Sequence, residues 1–106
     1  MPKYLIQASY TADGVKGLLK DGGSKRRQSA EQAIKSAGGT MEAFYFAFGD
    51  SDAIVVIDAP DNASVTAAAL AINASGLVHA RTTVLMTAEE VDSATKKSIA
   101  YRAPGQ

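Results

Sequence analysis

The segment Ala53–Ala59 (AIVVIDA) constrains the fold more than any other part of this sequence. It is almost continuously apolar, which is typical of a strand that is covered on both of its faces. The run that precedes it, residues 40–48 (TMEAFYFAF), also has the composition of a strand. Because only Gly49–Asp52 separates the two runs, the sequence predicts a hairpin that contains a central strand.

The acidic turn of this hairpin, Gly49-Asp50-Ser51-Asp52, is open to two interpretations. Together with Asp58 it could supply paired carboxylates for acid–base chemistry. Asp is also favoured in turns, because its side chain bonds the local backbone, and Gly permits unusual backbone angles. We therefore expect a turn in which Gly49 provides backbone freedom and Asp52 provides local hydrogen bonding.

Two further strands are predicted at residues 3–10 (KYLIQASY) and 77–86 (LVHARTTVLM). The first is followed by Gly14 and Gly17, which weaken a helix, so we expect only a short helical turn there. A loop is then predicted at Asp21-Gly22-Gly23.

Two main helices are indicated by apolar residues at helical spacing and by residues suited to the helix ends. Ser24 is the candidate N-cap of the first helix, and Gly38-Gly39 is its candidate stop. Asp61 is the candidate N-cap of the second helix, which is predicted to end at Gly76. The two helices lie on either side of the hairpin in the chain.

A third and more polar helix is predicted from Ala88 to about Lys97. Thr87 and Glu90 have the spacing of a capping box ahead of it. The order of elements is therefore β-α-β-β-α-β with a C-terminal helix. This order predicts an α+β, ferredoxin-like fold with an antiparallel four-stranded sheet. We expect one domain over residues 1–100 and a tail over residues 101–106.

Composition narrows the classes of function. The 106 residues carry 11 basic and 11 acidic side chains, so no general attraction for nucleic acid is expected. The chain has no Cys and one His, so we predict no metal site, and no cofactor is expected. It has no long apolar run and no leader-like N-terminus. We therefore predict a cytoplasmic protein that binds no membrane.

Alternation along the predicted strands divides their side chains into two sets. The strongly apolar set is assigned to the face beneath the main helices: Tyr4, Ile6, Ala8, Tyr10, Phe44, Phe46, Phe48, Val78, Ala80, Val84 and Met86. The mixed set is assigned to the opposite face: Leu5, Gln7, Ser9, Ala43, Tyr45, Ala47, His79, Arg81, Thr83 and Leu85. The central strand is apolar on both sides.

In a ferredoxin-like fold the second face would expose its apolar residues, which soluble monomers rarely do over more than a few hundred Å². Covering ~500 Å² would contribute roughly 12 kcal/mol before the costs of association. A second copy of the same sheet is the simplest cover. We therefore predict a homodimer that packs sheet to sheet, with a partly polar cavity near the interface.

Three stretches also resemble a known family: residues 1–23 (MPKYLIQASYTADGVKGLLKDGG), 38–61 (GGTMEAFYFAFGDSDAIVVIDAPD) and 81–90 (RTTVLMTAEE). They are similar to the GYD-domain proteins, a family of small bacterial proteins of about this length. The family's Gly-x-Tyr-Asp stretch corresponds to Gly49–Asp52, with Ser51 at the tyrosine position. The resemblance implies a dimeric α/β barrel and no established activity.

The mixed face holds the candidate ligand-binding residues. Arg81 is the main candidate, because a half-buried guanidinium needs an acceptor, which is either a carboxylate ligand or an Asp or Glu of the partner chain. Gln7, Ser9 and Tyr45 are predicted to accompany it. His79, the only imidazole, is either a general base in the cavity or a hydrogen-bonded strand residue. A separate run, Lys25-Arg26-Arg27, could bind phosphate but is more often a solvated charged surface.

Three functions stay open on this evidence. The first is a small homo-oligomer that binds an anionic or carbonyl-bearing ligand where its sheets meet. Fold-level analogy with other dimeric α/β barrels offers a second, a cofactor-independent monooxygenase-like enzyme that uses His79 and either Arg81 or Tyr45. The third is an assembly or regulatory protein whose sheet face and tail contact partners.

Overall fold

The computed structural model describes every residue from Met1 to Gln106, and its element order is the predicted one with one additional helix. The elements are β1 (Lys3–Tyr10), α1 (Ala12–Asp21), α2 (Gly23–Ser36), β2 (Thr40–Phe46), β3 (Ala53–Asp58), α3 (Asn62–Ala74), β4 (Val78–Leu85) and α4 (Ala88–Thr95). The four strands form one antiparallel sheet in the order β2-β3-β1-β4, so the predicted α+β, ferredoxin-like arrangement is confirmed. No helix combines the length and apolar character needed to cross a bilayer.

The two central strands, β1 and β3, carry the core. Tyr4 pairs with Ile57 and Ile6 pairs with Val55, and all four of these side chains are buried on the helix side of the sheet. The continuous apolar run at Ala53 therefore forms an inner strand, as predicted. Both main helices cover the same side of the sheet, since α2 and α3 each contribute a residue to the core: Ile34 and Val65.

A β-bulge adjusts the edge strand β2 to this core. Met41 lies opposite Ile57 but Ala43 lies opposite Val56, which leaves Glu42 as the extra residue. A bulge shifts the alternation of the strand by one residue. Met41 and Phe44, three positions apart, therefore both pack against the core.

Tyr4 anchors the start of α3 from the centre of the sheet. Its side chain is fully buried, and its hydroxyl donates a 2.6 Å hydrogen bond to Asn62 Oδ1. The ring thus contributes apolar burial while its one polar atom is satisfied. Next to it, the Asp61 carboxylate accepts from Ser64 N at 2.8 Å and caps α3, as predicted.

Helix α1 is a full helix of 10 residues, where the sequence predicted only a short turn. Thr11 caps it, and its backbone N–H also donates to the Leu77 carbonyl at 3.0 Å. A Cβ at Gly14 would lie 2.0 Å from that same carbonyl oxygen. Gly14 is therefore a close-packing position against the start of β4, and the tertiary contact outweighs its weak helix propensity.

Helix α2 begins at Gly23, so the prediction of Ser24 as its N-cap is wrong. Gly22 at φ 82° separates α1 from α2 and serves as the end of one and the start of the other. Ser24 is already inside the helix and cannot adopt the extended backbone of a cap. Beyond the other end of α2, Gly38 has φ 84°, which agrees with the predicted stop at Gly38-Gly39.

Three side chains assigned to the helix-covered face are largely exposed. Phe48 lies beyond the end of β2 and is fully exposed. Val84 lies at the far end of the edge strand β4 and Met86 lies just beyond that strand, and both side chains are more than half exposed. The alternation rule therefore predicted the correct side of the sheet for Val84, which lies opposite the buried Tyr4, but a side chain on that side is buried only where a helix lies above it.

Residues 86–106, the C-terminal arm, are all exposed. The arm contains α4, whose capping box is formed as predicted: Thr87 N donates to Glu90 Oε1 and Glu90 N donates to Thr87 Oγ1, both at 3.1 Å. The radius of gyration is 17.0 Å, compared with about 13 Å for a compact domain of this size. The arm therefore projects from the domain and does not pack on it.

Replacing Gly14 by alanine tests the close approach of α1 to β4. The new methyl group would collide with the Leu77 carbonyl, so we expect Gly14→Ala to lower the free energy of unfolding by about 1–3 kcal/mol. Gly17→Ala is the matched control, since a methyl group there would have no atom within 4 Å and alanine favours helix by about 0.5–1 kcal/mol. Denaturant unfolding at one protein concentration measures both, and equal effects would refute the close-packing role.

The Asp61 cap predicts a specific acid sensitivity. Hydrogen bonds from the Ser64 backbone and hydroxyl lower the pKa of Asp61 from its ordinary value of 3.8. The carboxylate therefore stabilises the fold fully above pH 3.8, and this contribution is lost as the pH falls through the lower folded value. Asp61→Asn keeps a capping oxygen but does not titrate, so the stability advantage of the wild type should shrink below pH 3.8.

Thermal unfolding between about pH 2 and pH 7 measures this difference. Asp92→Asn is the control, because it removes the same charge from an exposed carboxylate on α4 that caps no helix. A difference between wild type and Asp61→Asn that stays constant over the whole pH range would contradict the assignment.

Candidate functional site

The face of the sheet opposite the helices, here called the open face, carries a row of side chains that crosses all four strands. Tyr45 on β2 lies opposite Ile54 on β3, and Gln7 on β1 lies opposite both Ile54 and Arg81 on β4. The row is therefore Tyr45-Ile54-Gln7-Arg81. It mixes an aromatic ring, an aliphatic chain, an amide and a guanidinium within one line across the sheet.

Next to the Gln7 and Arg81 end of this row lies another pair of polar side chains. Ser9 on β1 is directly opposite His79 on β4, two residues along each strand from Gln7 and Arg81. All five residues predicted to bind a ligand therefore share the open face. The sequence alternation was sufficient to group them, because β1 and β4 are paired without a bulge.

Arg81 is held in place by a hydroxyl. Its Nη2 donates a 3.2 Å hydrogen bond to Ser51 Oγ, across the intervening strand β1. Ser51 is only 5% exposed, whereas Arg81 is exposed and has no carboxylate within 4 Å. A guanidinium has five N–H donors, so most of them stay available on the open face.

The position of Ser51 depends on its neighbour Asp52, which bonds the hairpin turn to β1. The Asp52 carboxylate accepts from Tyr10 N at 2.8 Å, and Asp52 N donates to the Ala8 carbonyl at 2.8 Å. Both bonds join the turn to β1, so the Asp52 side chain does not bond the local backbone as expected, although the Asp52 carbonyl accepts from Ala47 N at 2.8 Å within the hairpin. Gly49 is also not at a positive φ, so the turn does not depend on glycine's backbone freedom there.

The charged groups at the other end of the open face are one lysine and two carboxylates that bind one another. Lys3 Nζ lies 2.8 Å from Glu42 Oε2 and 2.9 Å from Asp58 Oδ1. Hydrogen bonds to these two carboxylates raise the pKa of Lys3 above its ordinary value of 10.5. This end therefore keeps one excess negative charge, whereas Arg81 is an open-face cation with no carboxylate within 4 Å in the same chain.

Apolar side chains lie between these polar groups. Ala43, Val56, Leu5 and Thr83 form the neighbouring row across the sheet. The three apolar members of that row are half-buried, as is Ile54. The open face therefore has an aliphatic centre with polar groups at one end.

The imidazole and the phenol of the candidate set are accessible in the single chain. His79 is exposed and its ring makes no hydrogen bond, and the Tyr45 side chain is 71% exposed. The four main cavities of the chain are lined by other residues. The open face is thus a surface in one chain, and it becomes enclosed only if something covers it.

The basic run in α2 does not form one cluster. Lys25 lies 3.8 Å from Asp21, Arg27 is exposed, and Arg26 turns toward a cavity beneath the helices. A phosphate site would require these cations to converge. Their divergence agrees better with the alternative that most of the run is solvated surface.

The hydrogen bond between Ser51 and Arg81 was not predicted from the sequence. Its only signal was indirect, since Ser51 occupies the tyrosine position of the family's Gly-x-Tyr-Asp stretch. Turn residues can be recognised from their type, but the path of a turn depends on the strands that it joins. The hydrogen bond to Arg81 could therefore be found only in three dimensions.

The chain is similar to one protein family and to a solved structure. A family model described as GYD domain matches residues 4–95. No curated protein matches the chain. The crystal structure of a protein of unknown function from Nitrosomonas europaea is 23% identical, covers 82% of this chain and 91% of that chain, and has a TM-score of 0.44.

Proposed function

The chain belongs to the GYD-domain family, and from that premise we propose that it self-associates through its open face and binds a small anionic ligand there. The observation that supports this proposal is that Arg81 is hydrogen-bonded to Ser51 but has no acidic partner in the chain. The Arg81 side chain is a fixed guanidinium on a largely aliphatic surface, and no acidic side chain of the chain neutralises it. Such a group binds carboxylate or phosphate oxygens well, particularly where water is excluded.

A second copy of the chain is the proposed cover of the open face. Four strands of six to eight residues, about 4.8 Å apart, give a sheet face of roughly 400 Å² per chain. Stable interfaces bury about 800 Å² per partner. The sheet alone therefore supplies about half of the area that a stable dimer needs.

The C-terminal arm is the proposed source of the remaining area. It projects from the domain and exposes apolar side chains at Met86, Val91, Ile99 and Tyr101. Unpaired apolar segments of this kind are stabilised when they are buried against another surface. We propose that each arm packs on the neighbouring chain at the margin of the paired sheets.

The symmetry of such a dimer bears on how the charge of Arg81 would be balanced. An isologous interface uses the same surface on both partners, so it contains two copies of Arg81. The acids of the open face, Glu42 and Asp58, are already bound to Lys3. Burying two uncompensated guanidiniums would be costly, and a bound anion removes that cost.

The other side chains of the open face indicate the class of ligand. Gln7 offers an amide, Ser9 a hydroxyl, and Tyr45 a ring with a phenolic hydroxyl, while Ile54 and Val56 are aliphatic. Sites of this type orient a ligand with few polar groups and bury its apolar part. We therefore propose a small, partly apolar metabolite that carries a carboxylate or a polarised carbonyl.

Self-association is tested by a charge at the centre of the open face. The wild type should sediment at about 22 kDa, twice the 11.0 kDa of one chain, or as a larger multiple. Val56→Lys should shift it towards 11.0 kDa at micromolar concentration, because two lysines would have to be buried in the paired sheets. Analytical ultracentrifugation measures the change.

Leu70→Lys is the matched control for this experiment. Leu70 is an exposed aliphatic residue, and it lies on α3, away from the open face. The control should leave the sedimentation of the wild type unchanged. A wild type that sediments as a monomer at micromolar concentration would refute the proposed assembly.

Ligand binding is tested by native mass spectrometry of protein purified under mild conditions. The wild type should retain a small anionic compound, and Arg81→Gln should lose it or bind it about tenfold or more weakly, because a charge-assisted contact is removed. Arg27→Gln, which removes an exposed guanidinium from α2, should retain it. An oligomer that is always empty, or a ligand unaffected by Arg81→Gln, would contradict the proposal.

A further inference from the structure

We propose a second ligand site, on the helix side of the sheet, for a small molecule with an apolar body and one carboxylate group. A cavity of about 210 Å³ lies between the sheet and helices α2 and α3. Twelve of its 14 lining residues are hydrophobic, and Arg26 is the only charged one. It is separated from Arg81 by the sheet itself, so it is a different site from the one on the open face.

The cavity exists because both of its walls are built from small side chains. On the sheet, Ala8 on β1 lies opposite Ala53 on β3 and also opposite Ala80 on β4. On the helix above, Ala30 and Ala33 face this row. Larger residues in these positions would fill the space, as Ile6 and Val55 do in the next row across the sheet.

The size and lining of the cavity favour an apolar guest. A dry cavity of about 150 Å³ lined by aliphatic and aromatic residues is known to bind benzene, and water needs at least two polar partners to occupy such a space. The present cavity is larger by the volume of a few heavy atoms. It therefore accommodates a six-membered ring or a branched aliphatic chain with a short substituent.

Arg26 determines the charge of the guest. It lies four residues before Ala30, so it is on the same side of α2, and it is half-buried. It makes no side-chain hydrogen bond and has no carboxylate within 4 Å. The nearest acids along the chain, Asp21 and Glu31, are each five residues away, and Asp21 is paired with Lys25 at 3.8 Å. A guanidinium beside an apolar cavity, without an acidic partner, matches a ligand carboxylate.

Two hydroxyl groups extend this polar end of the site. Tyr10 and Ser29 both line the cavity, and neither side chain makes a hydrogen bond within the protein. Tyr10 also lines two neighbouring cavities, one between α1 and the end of β2 and one between α1 and the start of β4, so it lies where the space opens. These hydroxyls would accompany Arg26 in binding the carboxylate, while the alanine row contacts the apolar body.

Phenylacetate is a suitable probe, because it joins a six-membered ring to a carboxylate by one methylene group. Isothermal titration or protein-observed NMR should show binding to the wild type with a dissociation constant between about 10 µM and 1 mM, the range for a ligand of this size. Phenylacetamide has the same shape without the charge. It should bind about tenfold or more weakly, because the charge-assisted contact is lost.

The Arg26 assignment is tested with two variants of equal net charge. Arg26→Gln should weaken phenylacetate binding about tenfold or more and leave phenylacetamide binding unchanged. Arg27→Gln removes the neighbouring exposed guanidinium and should bind phenylacetate like the wild type. Equal losses in the two variants would overturn the role of Arg26.

The cavity itself is tested by filling it. Ala30→Leu places three more carbon atoms in the space, so binding of both probes should be abolished while the fold and its thermal stability are kept. Arg81→Gln should leave phenylacetate binding unchanged, which separates this site from the one on the open face. Binding that survives Ala30→Leu, or that is lost in Arg81→Gln, would overturn the proposed location.

Discussion

The double pairing of β1, with β3 on one side and β4 on the other, is the constraint on which the rest of the structure depends. One register sets the composition of both faces of the sheet. It places Ala8 between Ala53 and Ala80 on the helix side, and Gln7 between Ile54 and Arg81 on the open side. A slip of one residue would move every side chain of β1 to the other face. The alanine-lined cavity and the polar row are therefore two consequences of the same hydrogen-bonded ladder.

Sequence patterns predicted those parts of the molecule in which local preference and tertiary structure agree. The apolar run at Ala53 identified an inner strand, and the caps at Asp61 and Thr87 marked two helix starts. The predictions failed where the local structure depends on a contact with residues that are distant in the sequence. Gly14 weakens a helix in isolation but is needed against the Leu77 carbonyl, and Ser24 lost its capping role because α1 continues almost directly into α2.

The same distinction applies to the candidate site. Alternation along two regular strands was enough to group Gln7, Ser9, His79 and Arg81 on one face. It could not reveal that Ser51 holds Arg81, since that contact depends on how Asp52 fastens the turn to β1. Nor could it reveal the cavity at Arg26, because the three alanines of its floor come from strands far apart in the sequence and are aligned only by the register.

The charge of the chain determines how either site would recognise an anion. Eleven basic and eleven acidic residues cancel, so no long-range field draws anions towards the protein. Selectivity must then come from local geometry, and the two guanidiniums differ in this respect. Arg26 borders a partly open cavity formed within a single chain, whereas Arg81 is exposed on the open face. Electrostatic contacts strengthen as water is excluded, so we expect the proposed open-face site to gain affinity on assembly, whereas the proposed helix-side site is formed by residues of one chain.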